Sequence, residues 1–206
     1  PVFSRCLALQ CAEVLQVLGS ESRLLELGAG SGAMAAELLA ELERRGVLPA
    51  EYWILDLSAD LRERQRETLQ QMVPHLLPRV RWLDSLPEAP FTGMILANEV
   101  LDALTIERFA IRRGDVNALG VSSEFGQLQL AEVRAASRLV AAVRRLETDI
   151  GNRLSDGYES EVCTGMAPWF ESIAYSLERG VLLFIDYGLP RREYYSAERT
   201  RGTLLC

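Results

Sequence analysis

The chain has 206 residues, of which 49% are hydrophobic and 25% are charged, a balance that is ordinary for one globular domain with a full core. Its formal net charge of −7 argues against nonspecific binding to nucleic acid, which needs a basic surface, and is compatible with a cationic substrate. No apolar run is long enough to predict a membrane span. Four cysteines without a Cys-x-x-Cys pair and a single histidine predict no metal site.

Both ends of the chain indicate a piece of a longer protein. Pro1 is not a natural start, and the chain stops within the apolar stretch Thr203–Cys206. We therefore expect a single domain over residues 1–206 that is incomplete at both ends. A targeting signal in a missing N-terminal part would not be visible in this sequence.

The first predicted elements surround a glycine-rich turn. Apolar residues at helical spacing predict a helix from Phe3 to Leu18, followed by a buried strand over Leu24–Leu27 and a helix from about Ser31 to Arg45. The turn between the strand and the second helix consists of Gly28, Ala29, Gly30, Ser31 and Gly32. A strand, a glycine turn and a helix N-terminus bring free backbone N–H groups to one point, which is typical of a site for a nucleotide-like ligand.

Glu26 separates the possible ligands of this turn. The spacing Gly28-x-Gly30-x-x-Ala33 also fits the fingerprint of dinucleotide-binding proteins. A carboxylate just before the first glycine would repel a pyrophosphate, but it would attract the ammonium group of a methionine moiety. The segment from Glu26 to Gly32 therefore resembles motif I of methyltransferases that use S-adenosylmethionine (SAM). A turn that serves only strand-to-helix packing is the alternative.

Two further acids follow predicted strands. Asp56 lies at the end of a second strand, Tyr52–Leu57, where a carboxylate commonly accepts the ribose hydroxyls of a nucleoside. The alternative for Asp56 is a cap on the following helix, Leu61–Met72, although Ser58 or Asp60 could also cap it. Asp84 follows a third strand, Val80–Leu83, and is a candidate partner of the adenine amino group.

The fourth predicted strand, Gly93–Ala97, ends in a polar segment. Asn98, Glu99 and Asp102 follow it and would lie in the crevice where open α/β sheets bind ligands. We expect Asn98 to contact the cofactor, and Glu99 and Asp102 to bind and orient the group that accepts a methyl. Asn98 or Glu99 could instead cap a short helix that runs through Leu104.

The pattern changes after the fourth strand. Partial alternation from Ile106 to about Val133 predicts an antiparallel hairpin or meander, followed by a helix from Ala135 to Ile150. A helix from Pro168 to Leu177, ended by Arg179 and Gly180, then leads to a fifth strand, Val181–Ile185. The predicted fold is α/β, a mostly parallel, doubly wound Rossmann-like sheet with an antiparallel insertion over residues 106–133.

Several motifs in this order resemble one family, the MidA-like proteins. They are the segment from Glu26 to Gly32, Tyr52-Trp-Ile-Leu-Asp56, Ala97-Asn-Glu-Val-Leu-Asp-Ala-Leu104 and Ile185-Asp-Tyr-Gly188. These proteins are the bacterial and mitochondrial relatives of the complex I assembly factor that methylates arginine in a complex I subunit. The resemblance covers essentially the whole chain. The first motif is common to many methyltransferases, whereas the segment from Asn98 to Ala103 together with the later Asp-Tyr-Gly is much more specific.

The resemblance implies a SAM-dependent methyltransferase that acts on a protein side chain, arginine of a complex I-type subunit or of another partner. It implies a cytoplasmic location in a bacterium and the mitochondrial matrix in a eukaryote. Asp56 departs from the glutamate expected in many relatives, which leaves a carboxylate one methylene shorter. An NAD-type oxidoreductase, disfavoured by Glu26, and a non-catalytic assembly factor that keeps SAM binding are the alternative functions.

Overall fold

The computed structural model describes residues 2–124 and 126–203, so the predicted apolar end after Thr203 lies outside the described residues. Up to the fourth strand, the chain forms α1 (Val2–Leu18), β1 (Arg23–Leu27), α2 (Ala33–Arg44), β2 (Tyr52–Leu55), α3 (Ala59–Met72), a 3-10 helix (Pro74–Arg79), β3 (Val80–Leu83) and β4 (Phe91–Asn98). It continues with a 3-10 turn (Leu101–Ala103), β5 (Glu107–Arg112), β6 (Asp115–Glu124), β7 (Gln127–Arg134), α4 (Ser137–Ile150), β8 (Glu159–Val162), α5 (Met166–Ala174), β9 (Leu177–Ile185) and α6 (Arg191–Tyr194). The chain divides into two compact units, one of residues 1–102 and 169–186 and the other of residues 103–168 and 187–206.

The first unit is built on a five-stranded parallel sheet in the order β3-β2-β1-β4-β9. The central strands β1 and β4 bury side chains on both faces, which explains their mostly apolar sequences. Leu24 and Leu96 belong to the cluster that includes the apolar sides of α1, α2 and α3. Leu25 and Ile95 lie on the opposite face and belong to the cluster that includes Ile173 of α5. This arrangement confirms the predicted α/β fold with a parallel sheet.

The second unit contains a separate antiparallel sheet in the order β7-β6-β5-β8. Phe109 and Ile111 of β5 belong to one buried cluster with Leu139, Val143 and Leu146 of α4. The predicted hairpin region corresponds to β5, β6 and β7. The fourth strand, β8, was not predicted, because its buried residues are polar and it shows no apolar alternation.

The fifth strand of the parallel sheet begins earlier than predicted. Arg179 and Gly180, expected to end the preceding helix, lie inside β9, where they pair with Thr92 and Gly93 of β4. The helix α5 already ends at Ala174. The two glycines face each other so closely that a Cβ on Gly180 would lie 1.8 Å from the backbone oxygen of Gly93. Gly180 thus permits close strand pairing and does not terminate a helix.

Two kinds of feature are absent from the described part of the chain. None of the helices there is long and apolar enough to cross a membrane. Within residues 2–124 and 126–203, histidine, cysteine, aspartate and glutamate side chains form no group of three or more that could hold a metal ion.

The close approach of β4 and β9 makes a prediction about stability. Gly180→Ala should lower the free energy of unfolding by about 2–3 kcal/mol, because the strands would have to separate to admit the new methyl group. Gly120→Ala is the matched control, since a Cβ at this position of β6 would meet nothing within 4 Å. Urea unfolding of both variants checks the expectation. Equal effects of the two substitutions would contradict it.

Candidate functional site

The predicted ligand residues of the first unit gather at one edge of the parallel sheet. Leu27 at the end of β1 pairs with Leu55 of β2 on one side and with Ala97 of β4 on the other. Leu83 at the end of β3 pairs in turn with Leu55. The glycine turn, Asp56 and Asp84 therefore follow neighbouring strand ends, and Asn98 is the last residue of β4. This edge is where open α/β sheets bind ligands.

The glycine turn has three glycines in the left-handed conformation, and their surroundings differ. Gly32, which precedes the first residue of α2, has φ of 80°, and a Cβ there would lie 2.9 Å from the backbone of Gln65. A Cβ on Gly28, where φ is 65°, would lie 3.1 Å from a methyl carbon of Val100. Gly30 has φ of 53°, but a Cβ there would meet nothing within 4 Å. Protein packing thus explains Gly28 and Gly32, whereas the space beside Gly30 is open to a ligand.

The end of this turn is the N-terminus of α2. Ala33 begins the helix, two residues later than predicted, because the left-handed conformation of Gly32 cannot be part of an α-helix. Gly32 makes no side-chain cap to the helix. The first-turn N–H groups have no partner within the helix and favour polar or anionic ligand atoms.

Glu26 is fully buried at the end of β1. The Tyr52 hydroxyl donates a hydrogen bond of 2.5 Å to its Oε2, while its Oε1 has no hydrogen-bond partner among the described residues. Burial raises the pKa of Glu26 from 4.5 to about 7; the Tyr52 hydrogen bond lowers it and the charge of Asp56 raises it. The carboxyl group is thus buried and keeps one unsatisfied oxygen, which costs free energy unless another polar group compensates for it.

Asp56 accepts two hydrogen bonds from the protein and does not cap the following helix. Its Oδ1 accepts a hydrogen bond from the Ser58 N–H at 3.0 Å, and its Oδ2 accepts one from Gln65 Nε2 at 2.9 Å. Ser58 is the residue that caps α3, accepting from the Leu61 N–H. A carboxylate has about four lone-pair positions, so Asp56 can still accept from a ligand. Next to it, Leu57 is 95% exposed and offers an apolar surface at the strand end.

Gln65 of α3 is a site residue that sequence reasoning missed. It is fully buried and contacts both Asp56 and the backbone oxygen of Gly30. The helix as a whole is rich in charged residues, which hid this inward-facing amide. Its position four residues before the buried Leu69 was the available signal, because residues at that spacing share a helix face.

Asp84 follows β3 with an exposed side chain. Arg62 of α3 donates to its Oδ1 at 2.7 Å and to the backbone oxygen of Leu83 at 2.6 Å. The Asp84 side chain is 91% exposed, so it is open to solvent as well as paired. Its predicted contact with adenine stays a prediction.

The segment after β4 is tied to the end of β9. Glu99 has a left-handed φ of 51°, and its N–H donates to the backbone oxygen of Ile185 at 2.8 Å. The Leu101 N–H donates to Asp186 Oδ2 at 2.9 Å, so Asp186 caps the short 3-10 turn that contains Asp102. This cap corrects the alternative in which Asn98 or Glu99 would serve as the cap. Glu99 and Asp102 are both exposed residues of this segment.

Comparison with known proteins agrees with this arrangement. A family model described as "Putative S-adenosyl-L-methionine-dependent methyltransferase" matches residues 6–206. The chain belongs to this family. The resemblance to MidA-like proteins, which are members of the same methyltransferase family, is thereby confirmed. No curated protein gives a significant match to the chain.

Two solved structures of the methyltransferase family are similar to the chain. One, from Burkholderia thailandensis, is described as a "likely methyl transferase" bound to S-adenosyl-homocysteine; it is 38% identical with a TM-score of 0.87, over 98% of this chain and 51% of that one. The other is the native structure of an uncharacterized protein from the same organism, 40% identical with a TM-score of 0.86, over 98% of this chain and 53% of that one. The chain thus spans about half the length of these relatives.

The buried carboxyl group makes stability depend on pH. Because the pKa of Glu26 is about 7 in the folded state and near 4.5 when exposed, the folded state keeps a proton that the unfolded state loses between these values. The contribution of this group to the free energy of unfolding therefore falls as pH rises from 4.5 to 7, by roughly 3 kcal/mol in total.

Glu26→Gln should remove this dependence. The variant should be as stable as the wild type near pH 4, where the native carboxyl group is protonated, and more stable at pH 8. Urea unfolding across this pH range measures the difference, with exposed Glu67→Gln on α3 as the control. A difference between Glu26→Gln and wild type that does not change with pH would contradict the assignment.

Proposed function

We propose that this chain forms the cofactor-binding part of a SAM-dependent methyltransferase that acts on a protein side chain, with arginine as the acceptor. The observation that carries the proposal is the open glycine turn, which lies between the buried carboxyl group of Glu26 and the hydrogen-bonding carboxylate of Asp56. Membership of the methyltransferase family and similarity to a relative bound to S-adenosyl-homocysteine support it. Since the chain spans about half of that relative, we propose the methyltransferase activity for the whole protein.

The described residues fit the parts of SAM. Asp56 would accept the ribose hydroxyls, and the exposed apolar surface of Leu57 beside it suits a nucleobase. The backbone of the glycine turn would follow the middle of the ligand, where Gly30 leaves space. The unsatisfied Oε1 of Glu26 suits an ammonium group, and a cation nearby would favour the ionised carboxylate that burial otherwise opposes.

The acidic residues after β4 suit a cationic acceptor. When bound, SAM supplies a methyl group on a sulfonium sulfur, which an in-line nucleophile can take. An arginine side chain is protonated near neutral pH and must lose a proton during methylation, so adjacent carboxylates would orient it and balance its charge. Glu99 and Asp102 are exposed carboxylates close to the ends of β4 and β9, and the net charge of −7 favours approach of a basic segment.

The partner and the location of the protein belong to the same proposal. A complex I-type subunit is the partner that the family resemblance suggests. The location would be the cytoplasm of a bacterium or the mitochondrial matrix of a eukaryote. An arginine-bearing segment of such a subunit would approach the carboxylates of Glu99 and Asp102.

The cofactor proposal predicts the effect of a side chain at Gly30. Gly30→Val should abolish measurable binding of SAM in calorimetry, because its side chain would enter the space beside the turn that the ligand needs. Gly46→Val is the matched control: Gly46 also has a left-handed φ, of 67°, and open surroundings, but it follows α2 at the opposite end from the turn. Both substitutions strain a left-handed backbone position to a similar extent, and only Gly30→Val should abolish SAM binding. Unchanged SAM affinity in folded Gly30→Val would exclude this site, and binding of NAD in place of SAM would favour an oxidoreductase.

The acceptor proposal predicts a separation of binding from transfer. Glu99→Gln and Asp102→Asn should bind SAM nearly as the wild type does but transfer little radiolabelled methyl to protein in an extract that lacks the endogenous enzyme. Exposed Glu88→Gln, in the loop before β4, is the control. Arginine labelling at the wild-type rate in both variants would exclude the proposed role. Label on lysine would exclude arginine, and binding without any transfer by the wild type would favour a non-catalytic assembly factor.

A further inference from the structure

We propose that Gln65 is a positioning residue that couples the glycine turn to the ribose-binding carboxylate of Asp56. The inference rests on the proposed function, because it assigns a role within the same cofactor site. It concerns a side chain on α3, a helix whose described surface is otherwise mostly charged and solvent-facing.

The burial of Gln65 requires an explanation. Gln65 and Leu69 are the two buried residues of α3, and Gln65 is completely buried at a place where an apolar residue would normally pack. Burying an amide costs free energy unless its donors and acceptor all find partners. The identity of those partners therefore shows what this amide stabilises.

Both polar atoms of the amide are used, in three hydrogen bonds. Nε2 donates to the backbone oxygen of Gly30 at 3.0 Å and to Asp56 Oδ2 at 2.9 Å, and Oε1 accepts from Trp82 Nε1 at 2.9 Å. The indole N–H of Trp82 can only donate, whereas a carbonyl and a carboxylate can only accept. These partners permit one orientation of the amide, so its direction follows from chemistry.

The amide thereby joins three neighbouring strand ends. Gly30 belongs to the turn after β1, Asp56 follows β2, and Trp82 lies in β3. One turn further along α3, the Thr68 hydroxyl donates to the backbone oxygen of Ser31 at 2.8 Å, and the backbone of Gln65 packs closely against Gly32. Both side chains of α3 therefore hold the glycine turn. Gln65 also holds Asp56, whereas Thr68 makes no hydrogen bond to Asp56.

This geometry gives Gln65 a specific effect on ligand binding. The Gln65 bond to Oδ2 and the Ser58 N–H bond to Oδ1 together set the rotation of the Asp56 carboxylate and leave its other lone pairs for the ribose hydroxyls. Without the Gln65 bond the carboxylate can turn about its remaining bond to Ser58, and the hydroxyl contacts become weaker. A buried amide that served only to stabilise the fold would have no such preference for one part of the ligand.

The test compares S-adenosyl-homocysteine with its 2′-deoxy analogue by calorimetry of the full chain. Wild type should prefer the ligand with the hydroxyl, and Asp56→Ala should abolish that preference. Gln65→Met keeps the volume but removes the hydrogen bonds; it should weaken S-adenosyl-homocysteine about tenfold and the analogue much less. Gln70→Met, on the exposed face of the same helix, is the matched control and should change neither affinity.

Each outcome decides the proposal. Equal weakening of both ligands by Gln65→Met, or no weakening, would overturn the positioning role while leaving the cofactor site intact. A wild type that binds neither ligand would instead overturn the proposed function, and the positioning role with it. If Gln65→Met does not fold, Trp82→Phe replaces it in the same comparison, because it removes the donor that orients the amide. Trp82→Phe should reduce the preference for the hydroxyl, and an unchanged preference would overturn the proposal.

Discussion

The parallel pairing of β1 with both β2 and β4 is the constraint on which the candidate site depends. Because the three strands run in the same direction and in register, their carboxyl ends reach one edge together. The polar residues of the candidate site lie in or just after these strands or β3, or reach this edge from α3 or from the end of β9. If β1 were antiparallel to a neighbour, the same acids would lie at opposite edges and could not share a ligand.

Buried and partly buried polar contacts hold the residues at this edge. Gln65 fixes the glycine turn and Asp56, Tyr52 binds the carboxyl group of Glu26, and Asp186 caps the turn that carries Asp102. Each contact satisfies groups that would otherwise be costly to bury or to leave unpaired. The loops of the site are therefore held by directional bonds, which specify geometry more closely than apolar packing does.

The pair of Glu26 and Tyr52 shows how this edge combines burial with a titratable group. Burial raises the pKa of the Tyr52 hydroxyl well above its usual value and raises that of the Cys11 thiol to about 12, with the charge of Glu26 as a further cause in both cases. The thiol and the phenol thus remain neutral near neutral pH, whereas the pKa of Glu26 is itself close to neutral pH. A cation at Oε1 can therefore ionise Glu26 at little cost in free energy. The same cation would not ionise Cys11 or Tyr52 near neutral pH.

The sequence by itself determined the succession of helices and parallel strands, the glycine turn, and the acids near the ends of β1, β2 and β4. These follow from hydrophobic period and turn residues, which are local properties of the chain. It also indicated the family, through motifs that span almost the whole length. Local pattern misplaced the start of β9, because Gly180 was interpreted as a helix end, although its role depends on Gly93 of a distant strand.

Only the tertiary structure decided which partners the polar side chains of the site have. Gln65 lies in a charge-rich helix, and its contacts with Gly30 and Trp82 join residues 35 and 17 positions apart. The burial of Glu26, its unsatisfied oxygen and its pKa likewise depend on which elements cover β1. A buried polar group is defined by the groups that surround it in space, and the period of a sequence shows which face of an element is inward but not what lies opposite.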